Sequence, residues 1–169
     1  AYNPVMDEWS PIELVNTPSA RYDHRAIWAG SEMIIWGGTY SSGSRGGRYR
    51  MATDTWASMS ELNAPIWSNQ TMVWSGSEII AWGSDFFASS GGRYDLPADA
   101  WTEISNIGAP SPRTSFRGVW TGSEMMVWGG WDGSVTLNTG ARYDPLLDSW
   151  DPVTTVNAPS GRMSHGMVW

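Results

Sequence analysis

The fold is decided by the stretch from Trp120 to Trp150, which opens with WTGSEMMVWGG (120–130) and closes with TGARYDPLLDSW (139–150). This stretch is one copy of a repeated unit. Gly-Ser-Glu begins at residues 30, 76 and 122, and a Trp-Gly pair begins at residues 36, 82 and 128, so both motifs recur every 46 residues. A repeat of this length predicts an array of similar units, each packed on the next.

Trp residues mark the same repeat. Of the 13 Trp in the chain, 11 fall on three repeat positions. The three sets are Trp9, Trp56, Trp101 and Trp150; Trp28, Trp74, Trp120 and Trp169; and Trp36, Trp82 and Trp128. An aromatic ring buries about 150–250 Å² of surface, so periodic Trp is interpreted first as core.

Composition excludes several classes of function. The net charge is −7 and the ten basic residues are Arg spread along the repeats, whereas nucleic-acid binding needs a dense basic surface. The absence of Cys removes disulfides, thiolate metal sites and Cys nucleophiles. No apolar run approaches the roughly 20 residues of a membrane-spanning helix. We expect no nucleic-acid partner, no membrane span, no metal and no cofactor.

The residue pattern of each complete unit predicts four β-strands. A first strand is followed by a tight Gly-Ser turn, a second strand through Trp-Gly, a variable loop, a third strand with Arg-Tyr, a short turn over an Asp, and a fourth strand through Trp. First strands are expected at 24–30, 70–76 and 116–122, with another beginning at 165–169, and second strands at 32–38, 78–84 and 124–130. Nothing long enough carries helical periodicity.

Four-stranded units repeated in this way predict a β-propeller, which is built from such sheets as blades. Complete blades are expected at 16–62, 63–107 and 108–156. Residues 1–15 match the end of a blade, since Tyr2, Asp7 and Trp9 keep the spacing of the later units, and residues 157–169 match the beginning of one. The prediction is therefore one all-β propeller domain with three complete blades and a split partial blade at the termini.

The repeat resembles the kelch repeat, especially its bacterial Trp-rich variety. The resemblance rests on Gly-Gly at 37–38 and 129–130, Tyr-Asp at 94–95 and 143–144, and a Trp seven residues after the Tyr. It implies a propeller of kelch-like blades used for protein binding, sugar binding or, in a few members, catalysis. Three residues depart from the pattern: Ser84 replaces the second Gly, and Arg50 and Asn3 replace the Asp after Tyr.

Ring closure is left open, because propellers typically have 4–8 blades and three blades do not form an ordinary ring. The termini of one chain can meet in a defective fourth blade, two chains can exchange termini, or further blades can belong to a larger propeller. Open sheet edges favour pairing with another chain. The expected partner is therefore another copy of this chain, in a homo-oligomer, or the remainder of a larger propeller.

The charged residues that recur in every unit are interpreted as structural, since a catalytic group is needed only once. They are Arg48, Arg93 and Arg142; Asp54, Asp99 and Asp148; and Glu32, Glu78 and Glu124. We expect them to hold turns and to join neighbouring blades by hydrogen bonds. His24 and His165 share one position that Phe116 also occupies, which favours packing over metal binding or proton transfer.

Ligand binding is expected where the units differ. The loops between second and third strands and the connections between blades lie on one side of the sheets, here called the loop face. Its candidate ligand-binding residues are Trp67, Tyr40, Arg45, Asp85, Phe86, Phe87, Trp131 and Asp132. Exposed aromatic rings beside polar groups suit a sugar or a protein segment. The alternative is that these rings cap the blades or fill an interface between chains.

Three functions remain open from the sequence. The first is a non-enzymatic module that binds a protein or glycan through the loop face. The second is a sugar-acting kelch-type enzyme, which requires unique acid, base or His residues near the channel mouth. The third is a self-assembling structural unit with no dedicated ligand.

Overall fold

The computed structural model describes residues 1–40, 45–66, 69–85 and 87–169. Within these residues the chain is all-β, with sixteen short strands and no helix. Two pairs of strands are separate from the larger sheets. They are β1 (Tyr2–Asn3) with β2 (Glu8–Trp9), and β3 (Arg21–Tyr22) with β6 (Thr39–Tyr40).

The other twelve strands form three four-stranded antiparallel sheets, each with its strands adjacent in chain order. Sheet I consists of β4 (Arg25–Ala29), β5 (Glu32–Trp36), β7 (Gly46–Arg50) and β8 (Thr55–Ser58). Sheet II consists of β9 (Gln70–Trp74), β10 (Ile79–Ser84), β11 (Ser89–Asp95) and β12 (Ala100–Glu103). Sheet III consists of β13 (Arg117–Trp120), β14 (Met125–Trp128), β15 (Gly140–Asp144) and β16 (Ser149–Pro152). The predicted all-β class and its four-stranded units are confirmed.

The turns between strands use residues that tolerate a positive φ. Gly30 has φ +67° in the first-to-second turn of sheet I, a conformation that costs Gly little. In the third-to-fourth turns the equivalent residues are Asp54, Asp99 and Asp148, with φ of 52°, 50° and 48°. Asp tolerates the left-handed region because its short side chain hydrogen-bonds locally. The spacing of Asp two residues before Trp therefore encodes the hairpin.

The hydrophobic core lies between neighbouring sheets. One buried cluster joins sheets I and II and includes Trp36 and Trp101, and a second joins sheets II and III and includes Trp82 and Trp150. All six residues of β10 are buried, because sheet II is covered on both faces. Trp36 and Trp82, in the second strands of sheets I and II, contact the fourth-strand Trp of the following sheet, with ring centroids 4.8 Å apart in one pair and 5.7 Å in the other.

Three predictions about the periodic Trp are wrong. Trp9, Trp28 and Trp169 are exposed by 81%, 49% and 77% instead of lying in the core. The reason is that a first-strand or fourth-strand Trp packs against the preceding sheet, as Trp74 and Trp101 do, and among the described residues no sheet covers Trp28 or the β1–β2 hairpin. Residues 165–169, expected as a first strand, form no strand, since no second strand lies beside them.

Candidate functional site

A polar cavity of about 330 Å³ opens on the loop face, where the first strands of the three sheets begin. These strands lie side by side, with β9 between β4 and β13. The lining combines hydroxyl, amide and charged side chains: Asp23, Arg25, Thr39, Asn69, Thr114, Ser115, Arg117 and Ser164. We call this space the central cavity. Residues at or just before the first strand of each sheet line it, so the repeat itself brings the residues together.

Two arginines are the cationic residues of the cavity lining. Arg25 donates from Nε to the carbonyl oxygen of Gln70 on the neighbouring sheet at 2.6 Å, and Arg117 donates from Nη1 to the carbonyl oxygen of Phe116 at 3.0 Å. Within the described residues neither guanidinium forms an ion pair, unlike Arg45, Arg48, Arg50, Arg93 and Arg142. Burial, followed by the charge of Arg117, lowers the pKa of Arg25, and Asp23 opposes this shift.

The remaining lining groups are held in defined positions. Asp23, Ser115 and Ser164 occupy the same position in three of the units, and their φ values of 57°, 55° and 51° are unusual for residues other than Gly. The Nδ2 atom of Asn69, at the same position in the middle unit, is buried without a hydrogen-bond partner among the described residues. Residues with a strained backbone and buried hydrogen-bond donors without a partner are both often found at binding sites.

Arg45 and Tyr40, both predicted for ligand binding, belong to the loop of sheet I. Tyr40 pairs with Arg21 through the backbone of β6. The amide of Arg45 donates to Glu61 Oε1 at 2.7 Å, its guanidinium lies 3.8 Å from the same carboxylate, and its carbonyl oxygen accepts from Arg21 at 2.6 Å. Arg45 itself is therefore held against Glu61 of the neighbouring connection.

Asp85 and Asp132, also predicted for ligand binding, each hold their own loop. Asp85 Oδ1 accepts from the amides of Phe87 and Ala88 at 2.7 and 2.9 Å. Asp132 Oδ1 accepts from the amides of residues 134 and 135, both at 2.8 Å. These backbone hydrogen bonds lower the pKa of both carboxyl groups. One oxygen of each carboxylate is thus engaged in loop structure, and a ligand role for either residue stays a prediction.

The predicted aromatic residues differ in exposure. Phe87 is 88% exposed on the loop of sheet II. Trp131 is half-buried and exchanges two backbone hydrogen bonds with Thr114 of the cavity lining, at 2.9 and 2.8 Å. This pairing fixes Trp131 beside the central cavity. Trp67 and Phe86 lie outside the described residues.

The position that Trp67 occupies in the middle unit is filled by structural arginines elsewhere. Arg113 is 2% exposed, and its guanidinium donates to the carbonyl oxygens of Ser111, Gly129 and Thr139. Burial lowers the pKa of Arg113 to about 10. Its amide also bonds to the hydroxyl of Ser84, so the departure from Gly-Gly at Ser84 adds a contact between two loops at 3.0 Å.

The structural interpretation of the recurring arginines is confirmed for two of them. Arg48 binds Glu32 within its own sheet at 2.6 Å and donates to the carbonyl oxygen of Leu96 in the next sheet at 2.8 Å. Arg93 donates to the carbonyl oxygen of Pro145 in the following sheet at 2.6 Å. The same residue type thus forms the same contact at both interfaces between sheets.

The two histidines are partly buried beside the sheets. The His165 ring meets Trp128 edge-on with centroids 5.4 Å apart, and burial followed by Arg117 and Arg162 lowers its pKa. His24 Nδ1 is buried without a partner among the described residues. In the described part of the chain no group of three or more His, Cys, Asp or Glu is placed to hold a metal ion. No helix there is long and apolar enough to cross a membrane.

Sequence reasoning missed Arg25 and Arg117. The signal was present, since one repeat position holds Arg25, Thr71, Arg117 and Gly166, and such variation was sought in loops and not in the first strands. Comparison with known proteins adds no further residues. No protein-family model matches the chain, and no curated protein sequence matches it significantly.

Proposed function

We propose that the chain is part of a β-propeller of kelch-like blades that binds a protein or glycan through its loop face without catalysing a reaction. The central cavity supports the proposal: the first strands of three sheets converge there, and Arg25 and Arg117 occupy a repeat position that holds Thr71 and Gly166 in the other units. Concave polar sites with a few placed charges are typical of ligand binding. The exposed Phe87 and the half-buried Trp131 add apolar surface on the same face.

Binding accounts for the lining better than catalysis does. Guanidinium groups stay protonated near neutral pH and are poor proton donors or acceptors. Hydrolysis of a glycosidic bond usually uses two carboxyl groups, and Asp23 is the one carboxylate in the described lining. The sugar-acting enzyme therefore has less support than the binding module.

An array of immobilised neutral and acidic glycans, with a second array of peptides, tests the proposed function. We expect the wild-type chain to bind a defined subset, and a Phe87→Ala/Trp131→Ala double variant to lose that binding. The matched control is Leu146→Ala, which removes an apolar side chain that is 93% exposed on the opposite side of the sheets. Binding that the double variant retains, or no binding to either array, contradicts the proposal.

Self-assembly is a second candidate, because the interface between sheets is incomplete at both ends of the stack. Met126 and Trp128 of sheet III are half-buried, whereas Ile80 and Trp82 at the equivalent positions of sheet II have no exposed surface. We propose that the β1–β2 hairpin of a second copy covers this face. That hairpin carries Trp9, which matches the fourth-strand Trp of the formed interfaces.

A further inference from the structure

The two arginines of the central cavity form an anion-binding arrangement. Both line the same space, each forms one hydrogen bond to a backbone carbonyl oxygen, and neither has a carboxylate within ion-pair distance among the described residues. Two like charges on the same cavity repel each other, and an anion bound between them offsets this repulsion. Arg is suited to this role because its planar fork matches the two oxygens of a carboxylate.

The rest of the lining suits a ligand rich in hydroxyl groups. Thr39, Thr114, Ser115 and Ser164 contribute hydroxyls that both donate and accept, and Asn69 contributes a buried Nδ2 donor without a partner in the described chain. Asp23 adds an acceptor for a hydroxyl donor. An acidic side chain of a protein would pair with the arginines and leave most of the hydroxyl and amide groups without a partner. An acidic sugar would pair its carboxylate with the arginines and its hydroxyls with the Thr, Ser and Asn side chains.

The volume of the cavity and the net charge of the chain limit the class of ligand further. A volume of about 330 Å³ lies at the lower end of the range for small-molecule sites, which favours a single sugar unit over a bulkier group. The chain carries a net charge of −7, so it repels polyanions in general. A polyanion that binds must therefore find a local cationic site, and the central cavity provides one.

We propose that the central cavity binds one uronic acid unit of an acidic polysaccharide, with the carboxylate between Arg25 and Arg117 and the hydroxyls on the surrounding Thr, Ser and Asn side chains. This inference rests on the proposed binding function and names its ligand class. Trp131, whose backbone pairs with that of Thr114 in the cavity lining, is the aromatic residue that we expect to contact the next sugar of the polysaccharide.

Calorimetric titration of the intact chain with oligogalacturonate tests the inference, with a neutral galacto-oligosaccharide and an oligoglutamate peptide as the other two probes. We expect oligogalacturonate to bind most tightly, and Arg117→Leu to weaken it about 10- to 100-fold, the effect of losing a charged hydrogen bond. Arg25→Lys should weaken it less, since the positive charge remains. Arg50→Gln is the matched control, because it removes one positive charge from a half-exposed Arg that binds Glu32 away from the cavity.

The outcomes separate this inference from the proposed function. Circular dichroism must show that Arg117→Leu is folded, and Arg25→Lys supplies a milder variant if it is not. Binding of the neutral sugar with no effect of Arg117→Leu overturns the uronate site and leaves the binding module intact. Tighter binding of oligoglutamate than of oligogalacturonate overturns the choice of a sugar. Absence of binding to all three probes overturns the uronate site, while the arrays with the Phe87/Trp131 variant decide the binding function separately.

Discussion

At the scale of single residues, the repeated carboxylates join one sheet to the next. Asp54, Asp99 and Asp148 each accept a hydrogen bond from a backbone amide that precedes their own sheet, at 3.0, 2.9 and 3.0 Å. The donors are the amides of Glu13, Ser60 and Ser105. The same Asp carboxylate also accepts a hydrogen bond from the hydroxyl of the Tyr in its own third strand. One carboxylate therefore stabilises both the hairpin and the interface between sheets.

Glu32 is the most strongly engaged of the recurring glutamates. Its carboxylate accepts hydrogen bonds from Nε of Arg48 at 2.6 Å and from Nε of Arg50 at 2.7 Å, and the Glu32 side chain is 9% exposed. The hydrogen bond from Arg48 is the main cause that lowers the pKa of Glu32 below its ordinary value of 4.5. A carboxyl group with a lowered pKa in the folded state stabilises the fold above its unfolded pKa, and this contribution is lost as the pH falls through the folded value.

We expect Glu32→Gln to lower the free energy of unfolding at pH 7 by about 1–3 kcal/mol, because the three charged hydrogen bonds that Arg48 and Arg50 donate to this carboxylate are weakened in a buried site. Glu124→Gln is the matched control: Glu124 is more exposed and lies 3.4 Å from Arg142, so its loss should cost less than about 1 kcal/mol. The difference between wild type and Glu32→Gln should shrink as the pH falls below 4.5. Urea unfolding at several pH values measures it, and a difference that grows in acid contradicts the assignment.

At the scale of elements, contacts between aromatic rings hold the sheets face to face. Trp82 has no exposed surface and meets Phe116 and Trp150 edge-on, with centroids 5.0 and 5.7 Å apart. Trp128 is the equivalent residue of sheet III, and it is half-buried against His165. The same residue type at the same repeat position is therefore core in one sheet and surface in the next.

Trp82→Phe should destabilise the chain by about 1–3 kcal/mol, because it opens space inside a packed interface. Trp128→Phe should cost clearly less in dilute solution, where its outer side faces water. Thermal unfolding followed by near-ultraviolet circular dichroism compares the two variants. Equal losses of stability would show that Trp128 is already covered in the single chain, contrary to the structure.

At the scale of the whole molecule, the sequence predicts the sheets well because every unit repeats their signals. The Gly-Ser turn, the Asp turn and the spacing of Tyr and Trp are local, and they predict the strands that form sheets I, II and III. Residues 165–169 and the ring of Trp9 were mispredicted for a different reason. Their periodicity predicts the structure that they adopt beside a neighbouring unit, and in the described part of the chain no sheet lies beside them.

The candidate site was less predictable than the sheets. Its cavity joins residues 23, 69, 115 and 164, which are far apart in the chain and meet only when the first strands lie side by side. The loop residues Asp85 and Asp132 were predicted to bind ligand, but one oxygen of each carboxylate binds backbone amides of its own loop, a local role that Asp often has in turns. The position with Arg25 and Arg117 was visible as a break in the repeat within strands that were interpreted as scaffold.

The unfilled interface has a specific counterpart in the same chain. The formed interfaces pair a second-strand Trp with the next fourth-strand Trp, and a backbone amide with the next turn Asp. Sheet III presents Trp128 and the amide of Thr154 at the corresponding positions. The β1–β2 hairpin presents Trp9 and Asp7, and Trp9 is 81% exposed. The two surfaces therefore match, and they stand free of each other within one chain.

We expect a second copy to join these surfaces, because each would bury apolar area that is now in water. Light scattering should show the molar mass rising with concentration from 18.6 kDa to at least twice that value. Trp128→Ala and Trp9→Ala should each shift this transition to higher concentration, since each removes one partner of the same ring contact, and Leu146→Ala should not. Circular dichroism checks that the variants remain folded. A folded wild type that stays at 18.6 kDa up to near-millimolar concentration, or assembly that Trp128→Ala leaves unchanged, would rule out closure by a second copy.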